Sequence, residues 1–174
     1  MYTVLDVKKA IKGSRNSFVK IMQTEKNKLY RIAFLYVKNE SDAVDIVQET
    51  TYKAFISISK LKEPNQISSW LKRVTINCAI DFIRRQKKIV SIDMKIVEAI
   101  PVKVSPSEEK VDLYHLLDKL NEKDKTIIIL KYYEDLTNRE IAVIMNCPEG
   151  TIKSSIHRIL KKLKGYLEEG YMNG

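Results

Sequence analysis

The segment TNREIAVIMNCPEGTIKSSIHRILKKLK, Thr137–Lys164, predicts two short helices joined by a tight turn. Thr137 and Glu140 have the spacing of a capping box, in which the threonine hydroxyl accepts from the glutamate backbone amide and the glutamate reaches back. Asn146 begins the turn. Pro148 suits the first position of the second helix, because the amide hydrogen that it lacks would have no intrahelical partner there. Two helices joined in this way are typical of a helix-turn-helix.

The second of these helices is small and polar at its start and basic further on. A recognition helix places its N-terminal residues against base edges in the major groove of DNA, and its basic residues can contact phosphate or guanine. The candidates for DNA contact are Gly150, Thr151, Lys153, Ser154, His157 and Arg158. The residues expected to face the core are Ile152, Ile156, Ile159 and Leu163. The alternative is a solvated amphipathic helix at a chain end.

Apolar residues recur at three- and four-residue steps through the first half of the chain, which predicts helices over 16–38, 42–58 and 69–88. The predicted core-facing residues are Phe18, Ile21, Met22, Leu29, Ile32, Ala33 and Tyr36 in the first helix, Ala43, Ile46, Val47, Thr50, Ala54, Phe55 and Ile58 in the second, and Trp70, Leu71, Val74, Cys78 and Phe82 in the third.

The segment 89–110 has no sustained helical period and contains Pro101 and Pro106, so we interpret it as a flexible linker. Helical periodicity then resumes, and Asn121 can cap the helix that precedes the helix-turn-helix. We therefore expect an all-α fold of two small helical domains, 1–88 and 111–174, joined by this linker.

A second basic surface is predicted on the helix over 69–88. Arg73, Asn77 and Arg84 recur at helical steps on one face, and Lys72, Arg85, Lys87 and Lys88 extend the charge. The amide of Asn77 either satisfies a local backbone group or contacts a base. Two basic helices in two modules would touch two separate DNA segments.

The helix over 42–58 carries the opposite charge. Asp42, Asp45 and Glu49 line one face, with Gln48 beside them. Carboxylates repel DNA phosphates, so this face is either a solvated surface with a favourable helix-dipole interaction or a docking face for a protein.

The composition narrows the class of protein. The 174 residues include 31 Lys and Arg against 22 Asp and Glu, a net charge of +9 that suits a polyanionic partner.

No apolar run approaches the length of a transmembrane helix, and the N-terminus lacks a signal-peptide core, so we expect a cytoplasmic protein without membrane insertion. Cys78 and Cys147 lie far apart, and no cysteine or histidine has metal-ligand spacing. We therefore expect no metal and no cofactor.

The chain resembles an extracytoplasmic-function (ECF) sigma factor of bacterial RNA polymerase over nearly its whole length. The segment YRIAFLYVKNESDAVDIVQET resembles the start of sigma region two, and SSWLKRVTINCAIDFIRRQKK resembles the promoter-melting helix. The segment DKTIIILKYYEDLTNREIAVIMNCPEGTIKSSIHRILKKLK resembles region four. Within the family, the chain looks closest to the V-type sigma factors of Gram-positive bacteria.

The resemblance implies a role for each surface. The implied polymerase-binding residues, facing the beta-prime subunit, are Asp42, Asp45, Gln48 and Glu49. The implied minus-ten residues are Trp70, Arg73, Asn77 and Arg84, with Lys62 and Asn65 from the loop 61–69, which would hold a flipped base. The implied minus-thirty-five residues are Thr151, Lys153, Ser154, Ser155, His157 and Arg158. The implied partners are core RNA polymerase, with its beta and beta-prime subunits, promoter DNA, and an anti-sigma factor that is often membrane-anchored.

The chain departs from the family pattern at three places. Ser155 stands where an arginine is common, Ile159 and Leu160 replace a common Ala-Arg pair, and Thr51 stands where an aromatic residue is frequent. The first two changes predict weaker phosphate contact by the last helix.

Two other classes of protein compete with a sigma factor. A stand-alone helix-turn-helix regulator would explain the C-terminal half but leaves the first half without a role. An enzyme is disfavoured because the sequence has no Ser-His-Asp or Cys-His constellation and no glycine-rich phosphate loop.

Overall fold

The structure, a computed structural model, describes the backbone of residues 1–93 and 116–172 and the side chains of residues 1–86 and 116–168. Within these ranges the chain forms helices and no β-strand, which confirms the predicted all-α class. The helices are α1 Val4–Ile11, α2 Arg15–Val37, α3 Glu40–Ser57, α4 Ile67–Asp93, α5 Glu122–Ile128, α6 Asn138–Met145 and α7 Glu149–Met172. The chain divides into two compact units, Met1–Lys95 and Ile96–Gly174.

The helix starts of the first unit are set by polar caps. The side chains of Thr3, Ser14 and Asn39 accept hydrogen bonds from backbone amides in the first turns of α1, α2 and α3. Gly13 adopts a φ of 97° in the turn between α1 and α2, a conformation that favours glycine. The chain breaks between α2 and α3, as the predicted helices over 16–38 and 42–58 require, whereas α1 was not among the predicted helices.

The core of the first unit lies among α2, α3 and α4, and α1 adds Val7 and Ala10 to it. The seven residues predicted to face the core from α2 are all buried. On α3 the prediction is wrong for Phe55, which is 44% exposed, although its ring contacts Phe18 edge to face. On α4 Leu71 and Cys78 are buried as predicted, whereas Trp70, Val74 and Phe82 are half-buried.

The helix α4 is longer than the sequence predicted. It continues to Asp93 and so includes the first residues of the predicted linker 89–110. The rest of that linker lies outside the described residues, as do residues 111–115 at the start of the predicted second domain. The description resumes with a short helical stretch at residues 116–118.

The second unit packs α5, α6 and α7 around isoleucine-rich surfaces. Asn121 caps α5 as predicted, and α5 runs directly into a π-helical turn, Ile129–Tyr133. Its largest fully buried side chains are Leu117, Ile127, Ile129, Leu130, Ile141, Ile152 and Ile159. This core fixes α6 and α7 as the two helices of the predicted helix-turn-helix.

The turn between α6 and α7 has the predicted chemistry. Thr137 Oγ1 accepts from the Glu140 amide at 3.2 Å, and Glu140 Oε2 accepts from the Thr137 amide at 2.8 Å, so the capping box is confirmed. Asn146 ends α6 in the left-handed conformation, with a φ of 51°. Pro148 lies immediately before α7 instead of at its first position, and its carbonyl accepts from the Thr151 amide at 3.0 Å.

Candidate protein and nucleic-acid interfaces

The outer face of α7 presents most of the residues predicted to read DNA. Lys153, Ser154, His157 and Arg158 are exposed, and Thr151 is half-buried. These residues alternate with a buried row that packs on the core, as expected for a helix with one apolar face. The start of α7 therefore offers a polar and basic surface to a partner.

Ser155 does not belong to that surface. It is only 8% exposed and lies on the same side of α7 as Ile152 and Ile159, which are fully buried. Residues three and four positions apart share a helix face, so a side chain at position 155 points with this apolar row toward the core. Ser155 therefore lies away from the exposed face that carries the other predicted DNA-contact residues, and its position does not support the prediction that it contacts DNA.

Arg158 has a partner within the chain. Its Nη2 donates to Asp124 Oδ1 on α5 at 2.8 Å, and the Asp124 side chain is 3% exposed whereas that of Arg158 is 63% exposed. Asn121 Nδ2 donates to the other oxygen, Asp124 Oδ2, at 2.9 Å. Sequence reasoning placed Asn121 as a cap but gave no sign that Asp124 bonds a residue of α7.

The second basic surface lies on α4. Arg73, Asn77 and Arg84 are exposed, and Trp70 is half-buried. Because Asn77 is exposed, its amide has no need of a buried backbone partner, which favours the interpretation as a contact residue. The predicted contribution of Lys72 to the exposed charge is wrong, since that residue is 7% exposed.

The loop before α4 is anchored by apolar residues and exposes polar ones. Leu61 and Ile67 are buried at its ends, and a 3-10 turn, Pro64–Gln66, lies between them. Lys62 and Asn65 are exposed, as a surface for binding requires. The anchors hold the backbone while these two side chains remain free to face a partner.

A buried carboxylate forms a hydrogen bond at the end of this loop, in the first turn of α4. Glu25 on α2 is 3% exposed and accepts from Tyr2 Oη at 2.8 Å and from Ser68 Oγ at 3.0 Å. Burial and the hydrogen bond to Glu25 raise the pKa of the Tyr2 hydroxyl. The contact joins the N-terminus, α2 and the first turn of α4, and no local sequence pattern signalled it.

The acidic face of α3 divides into two parts. Asp45 and Gln48 are exposed, whereas Asp42 and Glu49 are half-buried toward α4. Glu49 accepts from Lys53 at 2.9 Å and from Arg85 at 2.8 Å. Burial would raise the pKa of the Glu49 carboxyl, but these hydrogen bonds outweigh it and the pKa is lowered.

The exposed face of α3 is also apolar. Val44, Tyr52, Phe55 and Ile56 are each more than two-fifths exposed. A contiguous mixture of apolar and acidic side chains is suited to a protein partner and unsuited to DNA. The acidic residues predicted from the sequence are therefore one part of a larger surface.

The described residues contain no group of three His, Cys, Asp or Glu side chains that could hold a metal ion. In the same part of the chain, no helix is both long enough and apolar enough to cross a membrane. Cys78 is buried and Cys147 is half-buried, and both are free thiols.

Two sequence families match the chain in the order of its two units. Residues 21–89 match the family described as Sigma-70 region 2, and residues 110–163 match the family described as Sigma-70, region 4. Together these matches span more than half of the chain. The chain therefore belongs to the sigma-70 family of RNA polymerase sigma factors, which are transcription initiation factors.

The named relatives indicate which branch of the sigma-70 family the chain is most similar to among those compared. The chain is 41% identical to RNA polymerase sigma factor SigV of Bacillus subtilis over 80% of this chain and 84% of the relative. It is 30% identical to the ECF RNA polymerase sigma factor SigW of the same organism, over 94% and 95% of the two chains. The resemblance to ECF sigma factors is confirmed, and the similarity to SigV supports the V-type subgroup.

Two solved structures share the fold. CnrH, solved in complex with the cytosolic domain of CnrY, superposes with a TM-score of 0.73 at 19% identity, over 95% of this chain and 97% of that one. The sigma factor RpoE of Bartonella quintana, solved with the anti-sigma factor NepR, gives a TM-score of 0.68 at 23% identity, over 87% and 96%.

Proposed function

We propose that this sigma factor docks on core RNA polymerase through the exposed face of α3 and reads two promoter segments with α4 and α7. The observation that supports this assignment of surfaces to partners is the charge of the exposed side chains. Asp45 and Gln48 lie among apolar residues on α3, whereas α4 and α7 expose Arg73, Lys153 and Arg158. Phosphates repel the first surface and attract the other two.

The minus-ten element is assigned to α4 and the loop before it. Arg73, Asn77 and Arg84 would contact the non-template strand from α4, while Lys62 and Asn65 would contact it from the loop. Unstacking a base costs a few kcal/mol, which stacking and backbone charge can offset. The buried anchors Leu61 and Ile67 support this assignment, because they hold the loop without occupying its outer surface.

The minus-thirty-five element is assigned to the start of α7. Lys153, Ser154, His157 and Arg158 would approach the major groove, with Thr151 at the edge of the contact. Buried Ser155 is left out of this set.

The beta-prime subunit is the proposed occupant of the α3 face, and the beta subunit a further contact of the assembled polymerase. An anti-sigma factor is proposed as a regulatory partner, and it would be membrane-anchored as in much of the family. RpoE of Bartonella quintana, which shares this fold, was solved with the anti-sigma factor NepR, and this supports the proposal. We further propose that the protein acts in the cytoplasm, has no enzymatic activity and needs no cofactor.

The test compares duplex promoter binding by the chain alone, by core polymerase alone and by the two together. The expected result is sequence-specific binding only by the combination, because promoter reading depends on the assembled holoenzyme. Sequence-specific binding by the chain alone, without any affinity for core polymerase, would instead establish a stand-alone helix-turn-helix regulator.

A further inference from the structure

We propose that Asp124 is a positioning residue for promoter reading: it holds the guanidinium of Arg158 in the orientation that contacts the minus-thirty-five element. The inference rests on the proposed function of α7. It adds a residue that lies outside the recognition helix and is almost completely shielded from any partner.

The first support is the geometry of the Asp124 carboxylate. Its two oxygens have separate donors, with Asn121 Nδ2 at 2.9 Å from Oδ2 and Arg158 Nη2 at 2.8 Å from Oδ1. The Asp124 amide also donates to Asn121 Oδ1 at 2.9 Å. The amide of Asn121 thus fixes the plane of the carboxylate, and the fixed carboxylate fixes one nitrogen of Arg158.

The second support is the contrast in burial across the pair. The Asp124 side chain is 3% exposed, whereas the Arg158 side chain is 63% exposed and lies on the face of α7 with Lys153 and Ser154. A guanidinium has five N–H donors in a rigid fork, so one bond to Asp124 leaves donors for a second partner. An exposed arginine without such a partner would sample many rotamers and lose that freedom on binding.

The third support is electrostatic. A lone carboxylate near DNA would repel phosphate, but this one is buried and neutralised by the cation that it orients. The Asp124–Arg158 pair therefore lowers the non-specific affinity for DNA only slightly, while it constrains the orientation of the guanidinium. A carboxylate that orients a contacting side chain affects discrimination between sequences more than overall attraction to DNA.

The experiment measures initiation by holoenzyme, assembled from the full chain and core polymerase, at a promoter located by run-off transcription from genomic fragments. Each variant is assayed on that promoter and on the same promoter with its minus-thirty-five element replaced, and the ratio is the discrimination. Asp124→Asn is expected to lower this ratio about fivefold or more. Retention by non-specific duplex DNA is expected to stay equal or rise, because a negative charge has been removed.

The matched control is Asp118→Asn. Asp118 accepts from Lys125 at 3.0 Å in the same unit, so this variant also breaks an ion pair of the second unit, but one that involves neither Asp124 nor Arg158. Its discrimination ratio is expected to match that of the parent chain. Arg158→Lys supplies a second variant that keeps the charge and leaves Asp124 in place, and it is expected to lower the ratio as well.

A double variant separates positioning from folding. If Asp124 acts through Arg158, then Asp124→Asn has no further effect on discrimination in an Arg158→Ala background. The inference would be overturned if Asp124→Asn lowered the discrimination ratio in the Arg158→Ala background as much as it does in the parent chain. An unchanged ratio for Asp124→Asn alone would overturn it as well. If Lys153→Ala also leaves the ratio unchanged and does not weaken initiation on either promoter, the assignment of α7 fails together with it. If Lys153→Ala lowers the ratio and Asp124→Asn does not, only the positioning role is wrong.

Discussion

Arg85 on α4 donates from Nη2 to Glu49 Oε2 on α3 at 2.8 Å, which joins the proposed promoter helix to the proposed docking helix. The carboxylate of Glu49 is thus already engaged within the first unit, and Lys53 occupies its other oxygen at 2.9 Å. Of the four residues that the resemblance assigns to polymerase binding, Asp45 and Gln48 are the two that face solvent. Docking should therefore depend on Asp45 more than on Glu49.

The first prediction concerns that dependence. Asp45→Lys should lower the affinity for core polymerase by about tenfold or more, because a cation would face a basic partner. The measurement is a titration of labelled chain with core enzyme. Glu168→Lys, which makes the same charge change in the second unit, serves as the control and should bind normally. Unchanged affinity of Asp45→Lys would refute the docking assignment.

The second prediction concerns the energy of the Arg85–Glu49 pair. Both side chains are partly solvated, with 59% and 27% of their surfaces exposed, so the coupling free energy should be small and should fall at high salt. A double-mutant cycle of Glu49→Gln and Arg85→Ala in urea unfolding measures it. A large coupling that persists at high salt would show that the pair is far better shielded than its exposure indicates.

The contribution of the same pair to the stability of the fold depends on pH. The pKa of Glu49 is lowered in the folded chain, so its contribution is present above the pKa of an unfolded glutamate and is lost as the pH falls through the lowered value. Glu49→Gln should therefore be less stable than the parent at neutral pH and should converge with it in acid. Equal stability differences at both pH values would contradict this account.

The third prediction concerns the amide at Asn77. Asn77→Ala should weaken initiation on duplex promoters, by about 1–3 kcal/mol if the amide reads a base. On a template whose minus-ten segment is already mismatched, the same variant isolates base reading from strand opening. Lys26→Ala, an exposed change on α2, is the control and should initiate normally on both templates. Full activity of Asn77→Ala on every template would leave the amide without a role in the promoter.

The fourth prediction concerns Lys153. Lys153→Ala should weaken binding at the minus-thirty-five element by about 1–3 kcal/mol if this lysine reads a base. An equal loss on all sequences would make it a phosphate contact instead. Competition between the promoter and a scrambled duplex, with holoenzyme at fixed salt, distinguishes the two.

The fifth prediction concerns the thiols. Burial raises the pKa of the Cys78 thiol, despite a hydrogen bond with Thr50, and the residue is inaccessible. Half-buried Cys147 should therefore react with a thiol reagent well before Cys78 in the native chain. In denaturant the two should react at similar rates. A native Cys78 that reacts as fast as Cys147 would contradict the packing of α4 against α3.

Local patterns predicted the helices well, because caps and periodicity depend on neighbours in the chain. The caps at Asn121 and Thr137 are where the sequence placed them. Burial on mixed helix faces was harder to predict, since polar Ser155 and basic Lys72 are both buried.

Contacts between distant residues were not predictable from pattern at all. The bond from Arg158 to Asp124 spans 34 positions, and that from Ser68 to Glu25 spans 43. Each joins residues of different helices, and neither member of a pair carries a local signal for the other. Such contacts follow only from packing, which is why the residues that orient the proposed site were missed while the site itself was predicted.

Run-off transcription shows whether this chain directs promoter-specific initiation. Purified chain is added to bacterial core RNA polymerase, with the DNA upstream of its own coding sequence and a library of genomic fragments as templates. We expect discrete transcripts that appear only when the chain is present, and that disappear with Asp45→Lys. Absence of any chain-dependent transcript, together with absence of binding to core polymerase, would contradict it.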